Sequence, residues 1–452
     1  MENSKYEKSL NKADVFALAF GAMIGWGWVV LSGDWILSAG TLGAVGAFVV
    51  GGVMIFFVGH VYAELVAALP KNGGVLVFSK RAFGPTVSFI CTWAMMLGYI
   101  SVIAFEVVAL PTVVQYLFPD YLKGYMYTIA GFDVYFSWMI FGVLSSVAIA
   151  VINILGVKTA MVLQTTMTFL VFAVGLTFMG GAAANGSAAT MQPLFKGMNG
   201  VLVVAVMTPF MYVGFEVIPQ AAEEMNVPVK KIGQILVISV VSAVIWYAAI
   251  ILGVGRTMPA IQLAGSGLAT ADAMANAFHG SSLASKIMIL GGIGGIVTTW
   301  NSFYVGCSRT ICSMADERML PQAFGKLHPK FKTPCNAIIL IFCVTTIAPF
   351  FGRTMLVWLS NAGGFGIVVC NLIVTLSFLV LRKKEPDLPR PYKVKGGVTV
   401  GVVAMLLSAA MILLYLPGTP AALSWPYEWG ITIGWTLIGI ALITFSKAHS
   451  PE

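Results

Sequence analysis

Residues 21–28, GAMIGWGW, interrupt the first long apolar run of the chain, which extends over residues 15–38. Two glycines that flank a single residue weaken a helix, because glycine loses more conformational freedom on folding than other residues do. A break in the middle of a membrane frees backbone N–H and C=O groups, which protein, water or a ligand must then satisfy. The stretch therefore predicts a discontinuous transmembrane helix with a binding site at its break.

A second interruption lies in the sixth apolar run, at the sequence FMYVGFE of residues 210–216. Gly214 lies within this stretch, and Pro209 and Pro219 lie on either side of it. Proline removes a backbone hydrogen bond and clashes with the preceding turn. The two interruptions lie at the start of two blocks of five runs, which indicates inverted repeats and a central site between them. Close packing of helices against glycine is the alternative explanation for each interruption taken alone.

The composition indicates a membrane protein, since 58% of the 452 residues are hydrophobic and only 10% are charged. Soluble domains carry about a quarter charged residues, and a spanning helix needs roughly 20 apolar residues. We predict an all-α protein of about twelve transmembrane helices, the ninth of them short. The predicted spans are residues 15–38, 41–69, 86–118, 135–156, 160–182, 201–222, 231–254, 283–315, 335–351, 354–381, 397–417 and 428–446.

The lysines and arginines sort by side when these spans are threaded through a bilayer. Twenty-one of the 26 fall on one side and five on the other, and positive residues collect on the cytoplasmic side. Both termini, residues 1–14 and 447–452, are therefore predicted to be cytoplasmic tails of a multi-pass protein of the inner or plasma membrane. The N-terminal tail lacks the features of a cleaved signal. The net charge of +8 needs no nucleic acid partner to explain it.

Five motifs in chain order resemble those of the amino acid–polyamine–organocation permeases, and the resemblance covers nearly the whole chain. They are GAMIGWG at 21–27; YAEL, LPKNGG and AFG at 62–65, 69–74 and 82–84; FMYVGFE and AEEMNVP at 210–216 and 222–228; SR, MADE, LP and TP at 308–309, 314–317, 320–321 and 333–334; and LRKKEPDLPRPY at 381–392.

The resemblance implies a five-plus-five inverted repeat, at residues 15–182 and 183–381, followed by two additional helices within 382–446. It implies a secondary active transporter that moves amino acids by alternating access, driven by an H⁺ or Na⁺ gradient or by exchange. Transport of an organic amine or polyamine that lacks a carboxylate is the alternative. Competition by such an amine would separate the two.

The resemblance also implies a set of substrate-binding residues. Residues 24–27 match the segment that holds a substrate carboxylate by backbone N–H groups, Phe210 matches an occluding aromatic gate, and 213–214 match the segment near the amino group. The full set is Ile24, Gly25, Trp26, Gly27, Tyr99, Phe210, Val213, Gly214 and Trp300.

Trp26 departs from the family pattern, because many relatives have a small residue there. Its indole either faces an ammonium group of the substrate, by cation–π attraction, or packs into the helix bundle. Some relatives also carry a lysine midway along the fifth helix. The matching position here lies near Val171, so we do not expect a fixed internal cation.

Three acids lie within predicted spans, where ionisable residues are functional candidates. Glu106 and Glu216 are predicted to carry a proton or to balance a substrate ammonium, and capping of the N–H groups freed after the break is the alternative for Glu216. Asp34 is either a further such group or a residue in water at the outer mouth. The hydroxyls of Thr298, Thr299 and Ser302 either bind Na⁺ or bond back to their own helix.

Other classes of site have no support in the sequence. The six cysteines form no CxxC pair and the four histidines form no cluster, so no metal or cofactor is expected. Walker, HExxH and GxSxG motifs are lacking, which argues against ATP-driven transport and against an enzyme. The expected partners are a small amino acid or amine and the lipid bilayer. The sequence leaves open whether the protein is a monomer or a homodimer.

Overall fold

The computed structural model describes residues 8–448, so residues 1–7 and 449–452 of the two predicted tails lie outside it. Eleven of the described helical segments are long and apolar enough to cross a membrane, and a shorter apolar helix at Cys335–Phe351 takes the ninth place in the order. The predicted all-α membrane fold is confirmed.

The helices in chain order begin with α1 Lys12–Met23, α2 Gly27–Val30, α3 Ser32–Ala39, α4 Thr41–Ala68, α5 Val75–Phe83, α6 Pro85–Leu117, α7 Phe136–Leu155, α8 Val157–Asn185 and α9 Met198–Tyr212. They continue with α10 Val217–Gln220, α11 Val229–Thr257, α12 Ala260–Gly265, α13 Ala269–Ala277, α14 Ser282–Asp316, α15 Cys335–Thr345, α16 Met355–Lys384, α17 Gly397–Tyr415 and α18 Tyr427–Ala448.

Both predicted interruptions are present as breaks in the helices. The first span ends its leading helix at Met23 and resumes at Gly27, and the sixth span is unwound between Tyr212 and Val217. Gly214 has φ +143°, and a Cβ there would lie 2.7 Å from the Ala22 Cβ and 2.9 Å from the Met23 backbone nitrogen. Glycine at this position therefore allows the two breaks to pack directly against each other.

The packing of the helices follows the pattern expected of an inverted repeat. Helix α6 packs along α16 as α14 packs along α8, and α4 packs against α9 as α11 packs against α1. The two pairs in each comparison correspond member by member: α6 and α14 are the third spans of the two blocks, α16 and α8 the fifth, α4 and α11 the second, and α9 and α1 belong to the first spans. The division of the chain at residues 182 and 381 stays a prediction, and both points fall inside helices.

An ion-pair network ties the loop after α16 to α4 on the predicted cytoplasmic side. Both oxygens of the buried Glu64 carboxylate accept from Arg382, at 3.0 and 2.5 Å. Arg390 lies 3.1 Å from the same carboxylate, and the Val394 backbone N–H donates to it at 2.7 Å. Glu64 therefore has a structural role.

A β-hairpin that the sequence did not reveal follows α6. Strand β1, Tyr125–Ile129, pairs antiparallel with β2, Phe132–Tyr135. The two residues of the turn, Ala130 and Gly131, have φ of +48° and +78°, which is the left-handed backbone of a type I′ turn. The Tyr127 hydroxyl donates to the Phe350 carbonyl at 2.7 Å and so fixes the hairpin to the segment after α15.

Candidate functional site

The two helix breaks enclose a small central cavity. Its volume is about 20 Å³, and a single water needs roughly 10–15 Å³ by the same kind of measure. An amino acid therefore enters only if the helices separate, so this is a closed arrangement of the site. The lining residues are Ala22, Met23, Gly25, Trp26, Gly27, Val102, Phe105, Glu106, Phe210, Met211, Val213, Tyr247 and Thr299.

Hydroxyls of α14 satisfy the carbonyl groups that end α1. Each of the three candidate sodium ligands donates across to the first span rather than only within its own helix. The bonds are Thr298 to the Gly21 carbonyl at 3.0 Å, Thr299 to the Ala22 carbonyl at 3.0 Å, and Ser302 to the Leu18 carbonyl at 3.0 Å. These bonds join α14 to the carbonyl side of the first break. Whether Na⁺ binds there stays a prediction.

Tyr247 of α11 joins the two breaks through its hydroxyl group. That hydroxyl lies 2.8 Å from the Met23 carbonyl and 3.1 Å from the Met211 carbonyl. The side chain is buried and lines the cavity. Sequence reasoning missed this residue, although a tyrosine hydroxyl within an apolar span needs a buried partner.

Replacing Tyr247 with phenylalanine should lower the free energy of unfolding by about 1–3 kcal/mol, because two buried carbonyls lose the one O–H donor that they share. Chemical unfolding in detergent micelles measures this change. Tyr127→Phe is the matched control, since its hydroxyl bonds a single carbonyl at the surface and should change stability by less than about 0.5 kcal/mol. Equal effects of the two variants would contradict the bridging role of Tyr247.

The N–H side of the first break faces the carboxylate of Glu106 in α6. A Cβ on Gly25, at the break itself, would lie 3.0 Å from the Oε1 atom of this carboxylate. Glu106 is 2% exposed, and its Oε2 has no hydrogen-bond partner among the described residues. An acidic side chain thus lies beside the break, where freed N–H groups favour an anion.

The sixth-span break holds the second buried acid. The Gly214 backbone N–H donates to Oε2 of Glu216 at 2.8 Å. Oε1 of Glu216 is buried without a partner in the described part of the chain. The bond lies within the break and not at the start of α10, where the Glu216 side chain caps no N–H group. Both alternatives for Glu216 therefore stay predictions.

The indole of Trp26 packs into the bundle. Trp26 is fully buried, and its six-membered ring lies directly against Gly292 of α14, where a Cβ would overlap it. The second indole, of Trp28, packs edge-on against Trp246 at 5.5 Å and donates to the Ile24 carbonyl at 3.1 Å. The Trp26 ring thus packs against α14 although Trp26 also lines the cavity, and whether its indole faces a substrate stays a prediction.

The predicted site residues divide into two groups in this closed arrangement. Those that line the cavity are Gly25, Trp26, Gly27, Glu106, Phe210, Val213 and Thr299. Those that do not are Ile24, Tyr99, Gly214, Glu216, Thr298, Trp300 and Ser302, all of them buried or at the helix breaks, together with Asp34.

Three predicted residues lie away from the cavity for identifiable reasons. The Tyr99 ring packs edge-on against Phe303 at 4.9 Å, and Trp300 is fully buried within α14. Asp34 is exposed on α3 and faces Arg353, which agrees with the outer-mouth alternative. Among residues 8–448, no group of His, Cys, Asp and Glu could hold a metal ion.

Comparison with known proteins gives consistent matches along the chain. A family model described as amino acid permease matches residues 10–445. A branched-chain amino acid permease of Bacillus subtilis is 27% identical over 98% of this chain and 95% of its own length. From the same organism, a methylthioribose transporter is 25% identical over 98% and 94% of the two chains, and an aspartate–proton symporter is 25% identical over 98% and 84%.

Proposed function

The chain belongs to the amino acid permease family, and from that membership we propose that it carries amino acids across the cell membrane by alternating access. Membership establishes a multi-pass membrane transporter rather than an enzyme. The proposal adds that amino acids are the substrate and that alternating access is the mechanism. It also adds that transport is driven by an H⁺ gradient, by a Na⁺ gradient or by exchange.

The observation that carries the proposal is the meeting of two helix breaks at one cavity. An amino acid presents a carboxylate and an ammonium group. Backbone N–H groups at Gly25, Trp26 and Gly27 suit the carboxylate, and the carbonyls that end α9, around Phe210 and Met211, suit the ammonium. Side chains of both breaks line the cavity, so one small zwitterion can contact both once the site opens.

The surroundings of the cavity support a state closed on the predicted cytoplasmic side. There, Arg309 and Glu224 form a buried ion pair at 2.8 Å, 1% and 2% exposed, and Lys80 pairs with Glu317 nearer the surface. Cavities of about 420 Å³ lie on both sides, one between α6, the α12–α13 connection and Arg353 and one between α4 and the loop after α16, so the buried ion pair alone supports the closed state. Alternating access would then require the buried pair to separate when the site opens inward.

A second candidate substrate is an organic amine without a carboxylate. Glu106 favours it, because its carboxylate lines the cavity and has an oxygen without a partner among the described residues, which could accept from an ammonium group. The methylthioribose transporter among the relatives is consistent with substrates other than amino acids on this architecture.

The test uses purified protein in liposomes and a panel of labelled amino acids and amines, with imposed pH, Na⁺ or no gradients. We expect saturable uptake of at least one amino acid, accelerated by one gradient or by internal substrate. If a carboxylate-free amine is taken up and blocks amino acid uptake, the second candidate replaces the first. Saturable uptake of no panel member would remove the proposal.

A further inference from the structure

A groove on the predicted cytoplasmic side lies apart from the central cavity. It opens between α4, the start of α17 and the loop that joins α16 to α17, and its volume is about 420 Å³. Ligand pockets commonly have volumes of about 300–1,000 Å³. Its walls combine aromatic side chains with two lysines of the loop, and they include Phe56, Phe57, His60, Tyr392, Lys393 and Lys395. The groove therefore suits a ligand with a charged part and an apolar part.

The α4 wall of the groove faces the bilayer. Phe56 is 39% exposed and Val53, one turn before it, is 45% exposed, although both lie within an apolar span. Apolar side chains that other helices leave uncovered within a span are in contact with the hydrocarbon chains of the bilayer. The His60 ring packs on Phe56 at 4.5 Å, and its Nδ1 donates to the Phe56 carbonyl at 2.9 Å. An acyl chain can therefore lie along α4 and reach the groove from the side.

The loop wall of the groove carries positive charge that the described acids do not neutralise. Lys393 and Lys395 are exposed, and neither forms an ion pair with another described residue. The buried acid behind this wall, Glu64, is already paired with both Arg382 and Arg390. Since two guanidinium groups share one carboxylate, that cluster is itself positive. The wall therefore attracts an anionic ligand.

The loop holds the two lysines in place through its own hydrogen bonds. Val394, which lies between them, is 6% exposed, and its backbone N–H donates to Glu64 at 2.7 Å. The Arg390 guanidinium donates to the Leu381 and Glu385 carbonyls, at 3.2 and 3.0 Å, and so ties the loop to the end of α16. Because the loop is already ordered, a ligand that binds the lysines bears little of the cost of ordering it.

We propose that this groove binds an anionic phospholipid of the cytoplasmic leaflet, with its phosphate at Lys393 and Lys395 and one acyl chain along Phe56 of α4. Basic pockets beside transmembrane helices bind acidic lipid headgroups through their charge. The apolar wall that continues from the lysines into the bilayer adds contacts that only a lipid can use, which favours a lipid over a soluble phosphate. The bound lipid would connect α4 to the start of α17. The proposal does not depend on which solute the protein carries.

The first test measures lipid binding to the unaltered protein by native mass spectrometry in a neutral detergent. Phosphatidylglycerol and phosphatidylcholine with the same acyl chains are titrated separately. The first phosphatidylglycerol should bind about 30-fold more tightly than the first phosphatidylcholine, since each lysine beside an acidic headgroup contributes a factor of about five. Equal affinities would overturn the proposal. Displacement of phosphatidylglycerol by an equimolar amount of glycerol 3-phosphate would also overturn it, because the site would then bind a free phosphate ester.

The second test separates this site from a diffuse attraction of acidic lipids to a basic surface. Lys393→Gln combined with Lys395→Gln should abolish the preference for phosphatidylglycerol over phosphatidylcholine. The matched control combines Lys326→Gln with Lys330→Gln, which removes two exposed lysines from another loop on the same predicted side and should keep the preference. Equal losses in the two double variants would overturn the proposal.

The third test fills the groove without changing its charge. Val400 lines the groove, so Val400→Trp should lower phosphatidylglycerol binding to the level of the Lys393→Gln, Lys395→Gln variant. Val398 lies on the same turn of α17 but is 59% exposed and does not line the groove, so Val398→Trp should bind as the unaltered protein does. Normal binding by a Val400→Trp variant that elutes as a folded protein in size-exclusion chromatography would contradict the placement of the lipid. These measurements use no transported solute, so their outcome is independent of the proposed function.

Discussion

Gly25→Ala should reduce the transport rate at limiting substrate by roughly 100-fold, the loss expected when a site is displaced by about 1 Å. A Cβ at this position would lie 3.0 Å from Glu106 Oε1 and 3.0 Å from the Thr299 Cβ, and it would overlap the Thr299 hydroxyl. The break must therefore shift, which moves the backbone N–H groups that we assign to the substrate carboxylate. Initial uptake rates in liposomes, with protein content matched, measure the effect.

Two further variants separate this local effect from a general effect of the substitution. Gly46→Ala in α4 adds the same methyl group where no atom lies within 4 Å, and it should transport normally. Thr299→Ala combined with Gly25→Ala removes the overlapping hydroxyl and should recover part of the lost rate. Normal transport by Gly25→Ala alone would show that the first break does not form the site.

Arg309→Met should lower the free energy of unfolding by about 3–5 kcal/mol, because it leaves the Glu224 carboxylate buried without its cation. The pair is 1% and 2% exposed at a distance of 2.8 Å, and a second bond of 3.3 Å links the same two side chains. The fall should be visible as a lower midpoint of unfolding in detergent. Adding Glu224→Leu should recover most of it, since paired removal of buried charges is often neutral.

Arg81→Met is the matched control for this prediction. Arg81 pairs with Glu385 at 2.7 Å, but the two side chains are 48% and 31% exposed, and such pairs at the surface contribute about 0–1 kcal/mol. Hydrogen bonds from Arg81 hold the pKa of Glu385 below its usual range. The small contribution of this pair is therefore present above the ordinary glutamate pKa and is lost as pH falls through the lowered value. Equal destabilisation by Arg309→Met and Arg81→Met would contradict the argument.

The spans and both helix breaks were predictable because their signals are local. Hydropathy over roughly 20 residues determines a span, and the glycines and prolines near Ile24 and Val213 weaken the helix in which they lie. The acids Glu106 and Glu216 were also identifiable, since a charged residue inside an apolar run stands out.

The partners of these groups were not predictable, because they come from helices distant in the chain. Nothing near Glu106 in sequence indicates that its carboxylate lies against Gly25 of the first break, and nothing near Tyr247 indicates that it reaches both breaks. The direction of the Trp26 indole was left open because it depends on Gly292 of α14, whose lack of a side chain makes room for the ring.

The measurement that tests the central claim most directly is counterflow. Liposomes that contain the protein are loaded with an unlabelled amino acid and diluted into a trace of the labelled one, without an ion gradient. A carrier whose single site between the two breaks faces each side in turn should concentrate label inside above its external level, and the excess should then decay. Label that only rises to equilibrium, at a rate independent of the internal amino acid, would contradict alternating access.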